Sequence, residues 1–134
     1  MKAEEIIVGN EEQEIYKENI MHHYKHPHHV GILKKYTLKH REFNPLCGDD
    51  IMVYVLLEGK TILDVAFQGQ GCAISQAAMS LLMDKIIGMT LEQITTLKDE
   101  DVFQLLGIPI SHTRTKCALL SLKVVQKGVE HAGN

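Results

Sequence analysis

At 134 residues, with 45% hydrophobic and 23% charged side chains and no low-complexity tract, the chain has the apolar content of one domain with its own core, assigned to 1–134. A formal net charge of -3 carries no basic footprint of the kind that nucleic-acid binding leaves, and no stretch is long and apolar enough to span a membrane. Three cysteines, Cys47, Cys72 and Cys117, cannot all pair within one chain, which argues against a disulfide framework and leaves metal binding, catalysis or plain burial.

Met1 to Glu14 is acidic and lacks the apolar centre of a signal peptide, so a cytoplasmic address is the default, with residues 1–10 expected to be flexible. The spacing from Glu11 to Tyr24 predicts a first helix with Ile15, Ile20 and Met21 as contact positions, stopped by Pro27. His22, His23, His26, His28 and His29 crowd its exit. Their spacing matches no standard metal-ligand pattern, and we read them as a solvated, polar helix end.

Ile51 to Leu57 is a nearly continuous apolar run, Glu58-Gly59-Lys60 is a turn, and Ile62 to Gln68 alternates with Leu63, Val65 and Phe67 on one face. Together they predict a hairpin, and Thr37 to Phe43 supplies a third, edge strand. The second half turns helical. Ile74, Ala77, Ala78, Leu81, Leu82 and Ile86 form a helical stripe over Ala73 to Ile86, with Met79 and Met83 read as packing residues. Gly88 ends that helix, and Thr90 to Gln93 resembles a capping box for the next. A short helix follows over Asp99 to Leu106, and a last one over Thr113 to Val129 with Leu119, Leu122 and Val125 as core. Two or three strands followed by packed helices make an α+β domain, a small antiparallel β-sheet of about three strands against helices.

Each cysteine falls at the end of an element. Cys47 lies in a turn-rich loop (Asn44 to Asp50), Cys72 where a strand gives way to a helix after Gly69-Gln70-Gly71, and Cys117 in the first turns of the last helix. A helix N-terminus favours thiolate over thiol, and Lys116 adds positive charge if it points the same way. Thiolates are the soft ligands that zinc and iron–sulfur clusters prefer, and Asp49 offers a hard oxygen two residues from Cys47. Three thiolates and one carboxylate should hold a cluster more loosely than four thiolates, which suits transfer. Gly69 and Gly71 either give a partner room to approach or only shape the strand-to-helix turn. Spacing alone does not decide for a metal, since there is no CxxC and the cysteines spread over about 70 residues.

Four segments, in order, resemble the IscU/SufU/NifU N-terminal family of iron–sulfur scaffold proteins. They are Tyr16 to Gly31 (YKENIMHHYKHPHHVG), Asn44 to Asp49 (NPLCGD), Phe67 to Ala77 (FQGQGCAISQA) and Arg114 to Leu119 (RTKCAL). The resemblance implies an α+β SufE/NifU-like fold and ligation by Cys47, Cys72 and Cys117, with Asp49 as ligand or close modulator. It implies iron binding, sulfur received as persulfide from a cysteine desulfurase, a 2Fe-2S cluster built on the site and delivered to apo iron–sulfur acceptor proteins, and zinc at the same site in isolated protein. Cys117 is the first candidate persulfide acceptor, by resemblance to IscU-type members, and Cys47 the SufU-like alternative.

The chain departs from each branch. IscU-type members carry His before the third cysteine; here Lys116 stands there, as in the SufU branch, with His112 the substitute ligand to consider. Leu106 to Ser111 (LGIPIS) retains only part of the segment that an Hsp70-type chaperone reads, which speaks against that partner. The interval from Cys72 to Cys117 is too short for the SufU insertion. The competing functions are therefore a zinc-dependent sulfurtransferase on the same four residues and a purely structural zinc domain. A homo-oligomer would follow if a cluster bridged two incomplete sites.

Overall fold

The computed structural model describes residues 11–45 and 48–132. The apolar run at Ile51 becomes the central strand of an antiparallel sheet of order β1-β2-β3, with β1 Leu38–Asn44, β2 Asp49–Glu58 and β3 Thr61–Gln70. One face of β2 carries Ile51, Val53 and Val55, all fully buried, and pairs Val53 with Phe67 of β3 and with His40 of β1. Helices cover that face. α5 (Thr115–Ala132) packs across β1 and β2, while α2 (Ala73–Ile86) lies between α5, α4 (Asp99–Leu106) and α1 (Glu11–Lys25). The antiparallel α+β architecture is the one expected.

Within β3 the expected alternation is broken. Leu63 is 52% exposed and Ile62 takes its place in the core, beside Val65 and Phe67. The cause is a β-bulge: Leu56 pairs with Asp64 but Leu57 pairs with Ile62, so Leu63 is the extra residue. One inserted residue reverses the facing of everything before it.

A second difference lies in α1. Ile20 is buried as expected, but Ile15 is 65% and Met21 40% exposed. The face laid on α2 runs through Tyr16, Ile20 and His23, at i, i+4 and i+7, and Ile15 and Met21 sit one residue, roughly 100°, round the helix from it. Gly107 fixes this docking. It ends α4 with φ +73°, and a Cβ there would stand 2.0 Å from the Tyr16 ring.

α2 forms over the predicted range and buries Ala77, Ala78, Met79, Leu82, Met83 and Ile86 almost completely. The large ones contribute about 1.5–3 kcal/mol each relative to exposure. α3 (Leu91–Thr95) opens with the expected capping box: Thr90 Oγ1 accepts from the Gln93 N–H and Gln93 Oε1 accepts from the Thr90 N–H. The last helix starts two residues later than Thr113, because His112–Arg114 form a 3₁₀ turn; Leu122, Val125 and Val129 then face the core. No described helix is long and apolar enough to cross a membrane. The expectations for residues 1–10 and for Leu46 and Cys47 lie outside the described residues.

Candidate metal centre

Three element ends meet at one point. Asp49 opens β2, Cys72 is the N-cap of α2 after β3 has ended, and Cys117 is the third residue of α5. The donor atoms of these three side chains lie within 4.8 Å of one another. The N-terminal ends of two long helices, with the positive ends of their dipoles, therefore lie at the site.

Asp49 is fully buried, an expensive position for a carboxylate without partners. Its Oδ1 accepts from the Cys72 N–H at 3.1 Å and from the Ser75 hydroxyl at 3.3 Å. Its Oδ2 is buried with no hydrogen-bond partner among the described residues. Leaving such an oxygen unpaired costs about 1–3 kcal/mol. A cation is the partner whose chemistry fits it.

The glycines before Cys72 make this contact feasible. A Cβ at Gly69, where φ is +145°, would stand 2.0 Å from the Asp50 carbonyl oxygen; one at Gly71 would stand 2.5 Å from Asp49 Oδ1 and 2.3 Å from Ser75 Oγ. The room they leave is filled by the chain's own backbone and by the Asp49 carboxylate, so the turn-shaping reading of the pair holds, rather than room for a partner.

Arg114 is the site residue that sequence reading missed. Its pKa is raised, first by the charge of Cys72; burial opposes this as the next largest effect, and a hydrogen bond to Cys117, the Cys117 charge and a hydrogen bond to Cys72 complete the rise. The available signal was spacing: Arg114 stands three residues before Cys117 at a helix start, which brings both to one side. Lys116, the cation expected beside the thiols, is exposed and lines a groove with Phe43, Asn44 and Pro45. His112 is exposed, and it is not part of the gathered donor set. Cys117 is fully buried and Cys72 half-buried, so placement at an element end did not expose Cys117. The reason is that the packed face of α5 begins at Cys117 and Ala118. Cys47 falls outside the described residues.

With both thiols ionised, three anionic donors face one guanidinium, leaving two negative charges for a cation to balance. Fold and donor set together define a small α+β domain that gathers soft sulfur and hard oxygen donor atoms where two helices and a strand begin. Residues 15–132 match the NifU-like N terminal domain, and the chain belongs to that family. It is 33% identical to the zinc-dependent sulfurtransferase SufU of Bacillus subtilis, over 90% of this chain and 94% of that protein. It is 30% identical to the iron-sulfur cluster assembly scaffold protein IscU of Streptococcus pyogenes, over 90% and 86%. A crystal structure of a nitrogen-fixing NifU-like protein (N-terminal) from Brucella abortus superposes with a TM-score of 0.73 at 19% identity, covering 89% of this chain and 94% of that one, which supports the fold.

Proposed function

We propose that this protein is an iron–sulfur cluster assembly scaffold. It takes sulfur from a cysteine desulfurase, binds iron, builds a 2Fe-2S cluster as cargo and passes it to apoproteins. The observation that carries the reading is the convergence of Asp49, Cys72 and Cys117, with the buried Asp49 Oδ2 lacking a donor among the described residues. Cys47, two residues before Asp49, completes the set we assign.

Sulfur enters when a scaffold thiolate attacks the outer sulfur of the desulfurase persulfide. One S–S bond forms as the other breaks, and the desulfurase cysteine leaves as thiolate. Cys117 is enclosed and touched by Arg114, so attack there requires the Arg114 turn to move aside. Cys47, the SufU-like alternative, is the other candidate acceptor by resemblance. Asp49, bound to the Cys72 N–H through Oδ1, offers Oδ2 as the one hard and exchangeable ligand among thiolates. Arg114, hydrogen-bonded to Cys117 and Cys72, sets a positive charge against the two sulfurs.

The 33% identity to a zinc-dependent sulfurtransferase supports a second reading. There Asp49, Cys72, Cys117 and Cys47 would hold zinc, which would keep the thiols deprotonated, and one cysteine would relay sulfur without cluster assembly. Anaerobic reconstitution with ferrous iron, cysteine, a desulfurase and a thiol reductant, which supplies the electrons that take persulfide sulfur to sulfide, separates the two. A visible chromophore that moves to an apo-ferredoxin establishes the scaffold. A colourless protein that keeps zinc and stimulates the desulfurase establishes the relay.

A further inference from the structure

We propose that His23, His28 and Asp84 form a second metal site, selective for a divalent first-row transition ion such as zinc or ferrous iron. It stands apart from the cysteines. Cys72 caps the start of α2 and Asp84 lies twelve residues on, near its end, a separation of roughly 18 Å at the helical rise.

The three side chains come from three places: α1, the loop behind Pro27, and α2. Each offers a donor atom, and these atoms lie within 4.8 Å of one another. The His23 and His28 rings sit with centroids 4.4 Å apart. Asp84 already binds imidazoles with both oxygens, Oδ2 to His28 Nδ1 at 2.7 Å and Oδ1 to His29 Nε2 at 2.9 Å. An ion would compete for the proton held between His28 and Asp84, while His29 keeps the carboxylate oriented, as an outer hydrogen bond does at metal sites.

The surroundings are built rather than incidental. His23 is buried, and its Nδ1 is fixed by Ser80 Oγ at 2.6 Å. The same buried hydroxyl accepts the His28 N–H at 2.8 Å, so one serine positions both histidines. His29 has φ +64°, a left-handed backbone angle that costs a non-glycine residue on the order of 1 kcal/mol. The loop is held in that shape by β3: Phe67 N–H donates to the His29 carbonyl at 2.9 Å, and Gly31 N–H to the Phe67 carbonyl at 2.8 Å. Strain retained at this point places His28 and His29 against α2.

Two imidazoles and one carboxylate suit zinc or ferrous iron better than magnesium or calcium, which take oxygen ligands. Asp84 and His28 are each about two-fifths exposed, so the remaining coordination positions face water and the ion would exchange readily. Of the helix exit read as solvated, His23 is buried while His22, His26 and His28 are exposed; His22 and His26 remain outside the proposed site.

The test is titration of the full chain with zinc, and with cobalt as its coloured counterpart. Wild type takes up one equivalent that raises a thiolate-to-cobalt charge-transfer band and another with d–d absorption alone. His28→Gln and Asp84→Asn, at partly exposed side chains, weaken the second equivalent about tenfold or more and leave the charge-transfer band intact. Ser80→Ala, which touches no ion, weakens it about tenfold through lost positioning, an effect that chance binding by surface histidines would not show. A wild-type chain lacking the equivalent without charge transfer, or variants that retain it at full affinity, overturn the assignment. Absence of the charge-transfer band alone counts against the cysteine site and leaves this one standing.

Discussion

A methyl group at position 71 would stand 2.5 Å from Asp49 Oδ1 and 2.3 Å from Ser75 Oγ, where ordinary contact begins at 3.4 Å. Gly71 has no left-handed backbone angle, so Gly71→Ala is a steric perturbation without added strain. The serine hydroxyl can rotate away. The Asp49 carboxylate is fully buried and must retreat by about 0.9 Å to restore contact distance. Its bonds to the Cys72 N–H and the Ser75 hydroxyl, 3.1 Å and 3.3 Å at the outset, are then lost. At about 1 kcal/mol each this predicts a loss of about 2 kcal/mol, or roughly 6–10 °C in Tm for a domain of this size. The displaced carboxylate also leaves the donor cluster, so cobalt affinity at the thiolate site, read by its charge-transfer band, should fall about tenfold or more. Differential scanning calorimetry and the cobalt titration check the two halves separately. A variant equal to wild type in both would refute the role assigned to the Asp49–Cys72–Ser75 contacts.

Three further outcomes are expected. Asp49→Ala removes the hard, exchangeable ligand, so a reconstituted cluster should persist longer and pass to an apo-ferredoxin severalfold more slowly; an unchanged transfer rate removes Asp49 from the mechanism. Arg114→Gln withdraws the guanidinium that is hydrogen-bonded to the fully buried Cys117, so labelling of Cys117 by iodoacetamide in the native protein should quicken severalfold, with mass spectrometry of the labelled peptide as the readout; an unchanged rate removes Arg114 as its cover. Glu42 is the third case. Burial pushes its pKa up, but hydrogen bonds from His40 (2.6 Å) and Lys123 (3.5 Å) and their charges outweigh it, and the net shift is downward from 4.5. The His40 ring also meets His131 of α5. A depressed carboxylate contributes stability that is complete above its unfolded pKa and is lost as pH falls below about 4.5 toward the folded value. Urea midpoints measured between about pH 3 and 6 should therefore fall less steeply for Glu42→Gln than for wild type; equal slopes would remove Glu42 from the acid response.

Much of this protein was legible from local sequence alone. The helical stripe of α2, the Thr90–Gln93 capping box and the turn at Gly59 depend on neighbours a few residues apart, and they formed where periodicity and capping chemistry put them. Leu63 misled because a bulge is set by pairing with β2, and Ile15 and Met21 because the buried arc of α1 is chosen by α2 and by the space Gly107 leaves for Tyr16.

The candidate sites divide along the same line. The residue types at Asp49, Cys72 and Cys117, and the glycines that precede Cys72, were visible in the chain because thiolates, carboxylates and glycines have distinct local chemistry. Their convergence within 4.8 Å, the enclosure of Cys117 and the turning of Arg114, rather than Lys116, onto the thiols were decided only when β2, α2 and α5 packed together. The histidines behind Pro27 show it most clearly. On the sequence they are a polar helix exit; the carboxylate and hydroxyl that organise them, Asp84 and Ser80, lie more than fifty residues away and arrive only through the docking of α1 on α2.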